Sequence, residues 1–251
     1  DFDNSTAASQ INGAITSSEI TIWPSTLVGI LSGGTAVVLQ ANNDITVSEA
    51  ITASNSGNGG NLTMQAGRTI DINANITTDN GNLTLTANET LANGVVDAQR
   101  DSGNAEINLT GATINTGTGT FTATISAGAD KTNSGTADIT LNTVTAGALV
   151  MTNNGTTTGS DILDSGVLTV SGTSSFTTVG DGVITLDSAN ALTGAVTLNT
   201  GSSANATVDN GTTALIIAES NVGGTLTLTS GATAGIIDTM ATASGTVTVG
   251  G

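Results

Sequence analysis

The chain has 251 residues, 37% of them hydrophobic, a formal net charge of -17, and neither His nor Cys. Imidazole and thiolate are the usual bases, nucleophiles and soft metal ligands, so zinc sites, Ser-His-Asp triads, Cys-His dyads and disulfides are excluded. With Arg68, Arg100 and Lys131 as its only cations, the chain repels phosphate backbones and anionic headgroups, which excludes nucleic acid and polybasic membrane binding.

In chain order, residues 1–35 read as an N-terminal segment with a short helix, a candidate end cap. In "PSTLVGILSGG" at 24–34, Pro24, Ser25 and Thr26 are start signals and Gly33 is a stop. The opening "DFDNSTAASQ" has no basic or apolar leader region and no initiator Met, so the chain is expected to begin inside a longer precursor. No apolar stretch approaches the roughly 18 residues that cross a bilayer.

From residue 36 onward the composition is that of strands and turns, with Thr the commonest residue, 33 Gly and a single Pro. Short alternating segments recur: "DITV" at 44, "NLTM" at 61, "TIDI" at 69, "NLTL" at 82, "EINL" at 106, "TFTAT" at 120, "DITL" at 138, "VLTV" at 167, "VITL" at 183, "AVTL" at 195 and "TLTL" at 225. Each fits a half-buried strand, and N-G, D-G and G-x-G turn signals separate them. The phrase G-N-L-T occurs at Gly60 and again at Gly81, and Leu62 to Leu83 is 21 residues. Leu149 to Leu168, Phe176 to Val196, Val196 to Leu215 and Leu226 to Val247 have similar spacings. A beat near 20 residues with two or three short strands per period predicts an all-β, parallel β-helix over 36–251, because stacked coils bury an inner face that one coil cannot. That period predicts about a dozen coils and a rod on the order of 60 Å long. Residues 88–105, "NETLANGVVDAQRDSGNA", stretch the coil between Leu83 and Ile107 and read as a protruding loop.

The stretches "VVLQANNDITVSEAITAS", "GNLTMQAGRTIDINANITTDNGNLTLTANET" and "SFTTVGDGVITLDSANALTGAVTLNT" give the chain a style that resembles the repeat region of filamentous haemagglutinin-like exoproteins of the two-partner secretion family. The resemblance runs from about residue 36 to the end. It implies a right-handed parallel β-helix, export across the bacterial outer membrane, and a role at the cell surface in adhesion or biofilm. The amino-terminal secretion motif typical of that family is not in this sequence.

No catalytic residue and no cofactor are expected. Glycoside hydrolysis needs two carboxylates facing one bond, and the close acidic pairs, Asp1/Asp3, Asp97/Asp101 and Asp161/Asp164, do not alternate on a strand beside a cation. A β-helical carbohydrate-active enzyme therefore ranks behind a structural or adhesive rod. The best surface contact is the loop trio Asp97, Arg100 and Asp101, with a local ion pair that orders the loop as the plainer reading. Calcium would need more ligands than Asp181 and Asp187 supply, and no metal is expected. Asn-x-Ser/Thr sequons at Asn4, Asn61, Asn75, Asn82, Asn88, Asn108, Asn154, Asn205 and Asn210 read mostly as turn or ladder asparagines. Phe121 and Phe176 read as core. Threonine phrases such as Thr120/Thr122/Thr124 would form an ice-binding hydroxyl array only if coils of equal length stacked Thr on Thr, and these coils vary.

The last segment, "SGTVTVGG", is expected to leave strand edges open. The partners this implies are neighbouring coils of a longer chain or a second copy docked end to end as a filament subunit, with host or biofilm glycans as surface ligands.

Overall fold

The computed structural model describes residues 20–90, 95–127, 137–156, 159–201, 203–238 and 247–249. Three parallel sheets stack into a β-solenoid of about 7 turns. The first sheet runs through Val37–Ala41, Leu62–Ala66, Leu83–Ala87, Thr120–Ile125, Ala148–Asn153, Ser174–Thr178 and Ala195–Asn199, and on to Leu215–Ile217 and Ile236–Asp238. The second begins with Ile45–Val47 and Ile70–Ile72 and reaches Ala206–Asp209 and Leu226–Thr229. The third, made of shorter strands, runs from Ile51–Thr52 to Ala191–Leu192.

Alternation decides which side chains fill the rod, since one face of each strand points inward. In the second sheet Ile45, Ile70, Ile107, Ile139, Ile162 and Ile184 lie in register on successive turns. One β-branched shape repeated at each rung nests without gaps, and each such buried side chain stabilises the fold by about 1.5–3 kcal/mol. Phe121 and Phe176 are fully buried, as expected. Large and small residues alternate around them, with Met151 in register with both Ala123 and Phe176.

The helix Pro24–Leu31, α1, forms where the sequence places it. Pro24 takes the first helical position, where a missing N–H costs nothing. The left-handed residue after the helix is Gly34 (φ 76°) rather than Gly33. Leu27 and Leu31 are buried against the first turn. The Leu31 carbonyl also accepts from the Gly60 N–H at 2.8 Å, which ties α1 to the rod.

The G-N-L-T phrases at Gly60 and Gly81 stack as expected, with Leu62 opposite Leu83. The coil count differs, at about 7 instead of a dozen, and at ~4.8 Å per turn the rod is ~35 Å long. The beat near 20 residues mixed steps between turns with steps within one turn. Leu149 pairs with Ser174, while Leu168 belongs to the third sheet opposite Val144. Val196 pairs with Ile217, Phe176 with Leu198, and Val247 with Ser220. The step after Leu83 ends at Phe121, and Ile107 pairs with Ile70, so residues 88–105 enlarge a turn far more than the sequence spacing indicated.

A column of glycines marks the corner that precedes the first sheet. A Cβ on Gly81 would lie 2.3 Å from the Gly60 carbonyl oxygen, one on Gly119 2.5 Å from that of Gly81, and one on Gly147 2.0 Å from that of Thr118. The same holds for Gly172 against Gly147 at 2.4 Å and Gly194 against Gly172 at 2.1 Å. Backbone touches backbone at this corner in turn after turn, so no side chain fits. Gly147→Ala is expected to destabilise the rod by roughly 3 kcal/mol. Gly29→Ala, on the open face of α1 where a Cβ meets nothing within 4 Å, should instead stabilise by about 0.5–1 kcal/mol. Chemical denaturation of both variants checks the pair, and a neutral Gly147→Ala would remove the corner from the list of constraints.

Candidate functional site

The position just before each second-sheet strand carries a side chain that reaches to the next turn. Asp44 Oδ1 accepts from the Thr69 N–H at 3.1 Å, Asp138 Oδ1 from Asp161 N–H at 3.0 Å, Asp161 Oδ1 from Val183 N–H at 2.8 Å, and Asn205 Oδ1 from Thr225 N–H at 2.7 Å. Asparagines do the same for the first sheet, where Asn61 receives Asn82 N–H and Asn82 receives Thr120 N–H, each at 2.8 Å. On the third sheet Asn75 receives Thr113 N–H at 2.8 Å. The ladder reading of these asparagines therefore holds. Asn88 and Asn210 are buried, and Asn4 lies outside the described residues.

Acidic residues at the pre-strand position create a site. Backbone pairing puts Glu106, Asp138 and Asp161 on consecutive rungs, about 4.8 Å apart. Beside them an open groove of about 320 Å³ is lined by Asp44, Arg68, Thr69, Asp71, Gly103, Asn104 and Glu106. Arg68 grips Asp44 with two nitrogens, Nε to Oδ1 at 2.7 Å and Nη2 to Oδ2. This hydrogen bond holds the Asp44 carboxyl below the ordinary range. Burial pushes the other acids up: Asp71, with repulsion from Asp44; Glu106, with repulsion from Asp138 and Asp71; and Asp138, with repulsion from Asp161. The groove thus presents proton-holding carboxyls at one end and a neutralised ion pair at the other.

The loop after residue 94 is strapped down rather than protruding. Asn42 Oδ1 accepts from Val96 N–H at 2.7 Å, Asn43 Oδ1 from Asp101 N–H at 2.6 Å, and Arg68 Nη1 donates to the Ser102 carbonyl at 2.9 Å. The trio read from the sequence is divided. Asp97 opens the single 3-10 turn Asp97–Gln99. Arg100 is buried, with Nη1 donating to the Gly67 carbonyl at 2.7 Å and to Asn88 Oδ1. Asp101 faces solvent and accepts from Asn43 Nδ2 at 3.0 Å. Arg100 therefore fastens the loop from inside, and the exposed cation of this region is Arg68, which sequence reasoning passed over. Its rarity was the available signal, since Asp44 lies 24 residues away and only coil stacking brings the two together.

The remaining acidic pair, Asp161 and Asp164, splits between faces. Asp164 points inward and accepts from the Asp187 N–H at 3.0 Å, the Ser188 N–H at 3.2 Å and Asn190 Nδ2 at 2.8 Å. Burial raises its pKa. Among the described residues no group of three or more Asp or Glu is arranged to hold a metal ion. No protein-family profile matches the sequence, and neither a curated protein nor a solved structure is significantly similar to it.

Two predictions come from this geometry. Arg100→Ala leaves buried carbonyl groups without a donor and is expected to cost about 2–4 kcal/mol, whereas Arg68→Ala removes a half-exposed pair and should cost no more than about 1 kcal/mol; denaturation of the two variants ranks them. For Asp71, Glu106, Asp138 and Asp164 the folded pKa lies above the unfolded value, so the folded form binds more protons. Stability then rises as pH falls through the folded pKa, and the gain is complete below about 4. Asp44 and Asp79 have the opposite shift, and their contribution is lost only as pH drops further. The melting temperature is expected to be higher near pH 4.5 than at pH 7, and Asp138→Asn, which keeps the acceptor for Asp161, should flatten the rise. A melting temperature that falls steadily between those two values would contradict it.

Proposed function

We propose that this chain is a non-catalytic structural and adhesive rod of an extracellular bacterial surface exoprotein, of the filamentous haemagglutinin-like kind its repeats resemble. The observation that carries the reading is the register: three parallel sheets keep their pairing through about 7 turns around one apolar core. Backbone hydrogen bonds therefore run along the axis on three sides, which suits a stiff spacer that resists extension. The acidic, cysteine-free surface supports an exported protein that stays soluble without disulfides, with glycans as candidate ligands.

A head-to-tail filament is the second reading. Ile236 and Ile237 are exposed on the last first-sheet strand with side chains in the described residues, a surface that a further turn from another copy would cover. At the opposite end Leu27 and Leu31 of α1 already occupy the first turn, so such a joint would have to displace the helix. Electron microscopy of undenatured protein, with light scattering on the same sample, separates the two. Isolated short rods of 24.3 kDa are the expected result, and long filaments with an axial repeat of one rod would replace it with the second reading. Turnover of an acidic polysaccharide would overturn the non-catalytic assignment.

A further inference from the structure

The unequal turns do not break the register of the first sheet. Insertions are absorbed in the loops, so Thr84, Thr122, Val150 and Ser175 form one outward column, preceded by Thr63 and followed by Thr197. Two residues along each strand, Thr86, Thr124, Thr152 and Thr177 form a second column between Gln65 and Asn199. The requirement that coils be equal in length, which set this array aside at the level of sequence, is therefore unnecessary.

Two further observations separate this face from the rest of the surface. No charged residue stands in either column although the chain carries a net charge of -17, while the second sheet carries Asp71 and the Glu106, Asp138, Asp161 row. Hydroxyls elsewhere are used by the fold: Thr69, Thr116 and Thr193 donate to backbone carbonyls at 2.9–3.0 Å. The hydroxyls of Thr84, Thr86, Thr122, Thr124, Thr152 and Thr177 make no hydrogen bond among the described residues. They are half-exposed and left for solvent.

Parallel pairing spaces these groups at ~4.8 Å along the rod, and the pleat spaces the columns at ~6.7 Å across it. A rigid, neutral, two-column grid of hydroxyl and methyl groups at these intervals is close to the oxygen repeats on the faces of hexagonal ice. We propose that the first-sheet face binds an ordered water lattice, so that the rod adsorbs to ice. Crystalline polysaccharide is the less favoured occupant, because this face has no aromatic ring to stack on sugars: Phe121 and Phe176 point inward and Trp23 lies just before α1. The inference is independent of the surface-exoprotein reading.

The test is partition of the full 251-residue chain into slowly growing ice, with inhibition of ice recrystallisation as a second readout. The wild type should concentrate in the ice fraction. Thr124→Tyr and, separately, Thr152→Tyr place a ring in the middle of the grid at positions where strands favour aromatics, and should lower the ice-bound amount about tenfold, the effect of losing one decade of affinity. Thr207→Tyr, on the second sheet, should leave it unchanged, and circular dichroism melts establish that each variant is folded. A wild type that stays in the liquid overturns the proposal whatever the variants do, as does a folded Thr124→Tyr that partitions like the wild type. Retention on microcrystalline cellulose or chitin without ice partition would overturn it in favour of a polysaccharide-binding face.

Discussion

The close approach of backbone to backbone at the glycine corner is the constraint on which the rod depends. Gly60, Gly81, Gly119, Gly147, Gly172 and Gly194 bring each turn so near the one before that a methyl group would sit within 2.5 Å of a main-chain oxygen. That contact fixes where the first sheet starts on every turn, and with it the register of everything downstream. A slip of one residue would exchange the inward and outward faces, placing Thr in the core and Leu in water. The corner and the hydrophobic columns therefore enforce each other.

Asn and Asp complete the corners. A parallel stack leaves amides at the strand entrances whose carbonyl partners are turned away by the bend, and an Oδ1 from the previous turn meets them. Either residue serves, since both offer the same acceptor, and the choice between them sets the character of each side of the rod. Where Asn61, Asn82 and Asn75 do the work, the flank is neutral. Where Asp138 and Asp161 do it, with Glu106 on the rung before, carboxylates end up one rung apart and repel one another. The acidic groove is thus a by-product of the same backbone requirement, and the strapped loop with Arg68 and Arg100 supplies what local positive charge the chain has.

Much of the fold was legible before any coordinates. The alternating strands, the repeated G-N-L-T phrase, the buried Phe121 and Phe176 and the helix after Pro24 all rest on local signals: period-two hydrophobicity, turn chemistry and a helix start. The length of a turn was not legible. Three strands per turn share one pattern, so Leu168 looked like the successor of Leu149 although it lies one sheet further round the same turn. The loop trio was read for its charges, yet a guanidinium has no fixed orientation in sequence, and Arg100 turned inward because Gly67 opened a space beside a carbonyl.

The sequence by itself determined the class of structure, because alternation, glycine corners and the lack of His and Cys act through neighbouring residues or through composition. Tertiary structure alone decided which turn lies on which. Pairs such as Asp44 with Arg68, 24 residues apart, or Thr86 with Thr124, 38 apart, meet only after the intervening loops have been taken up. The physical reason is that a parallel stack is indifferent to loop length: strands pair wherever backbone hydrogen bonds and apolar columns both align, and the chain between them follows.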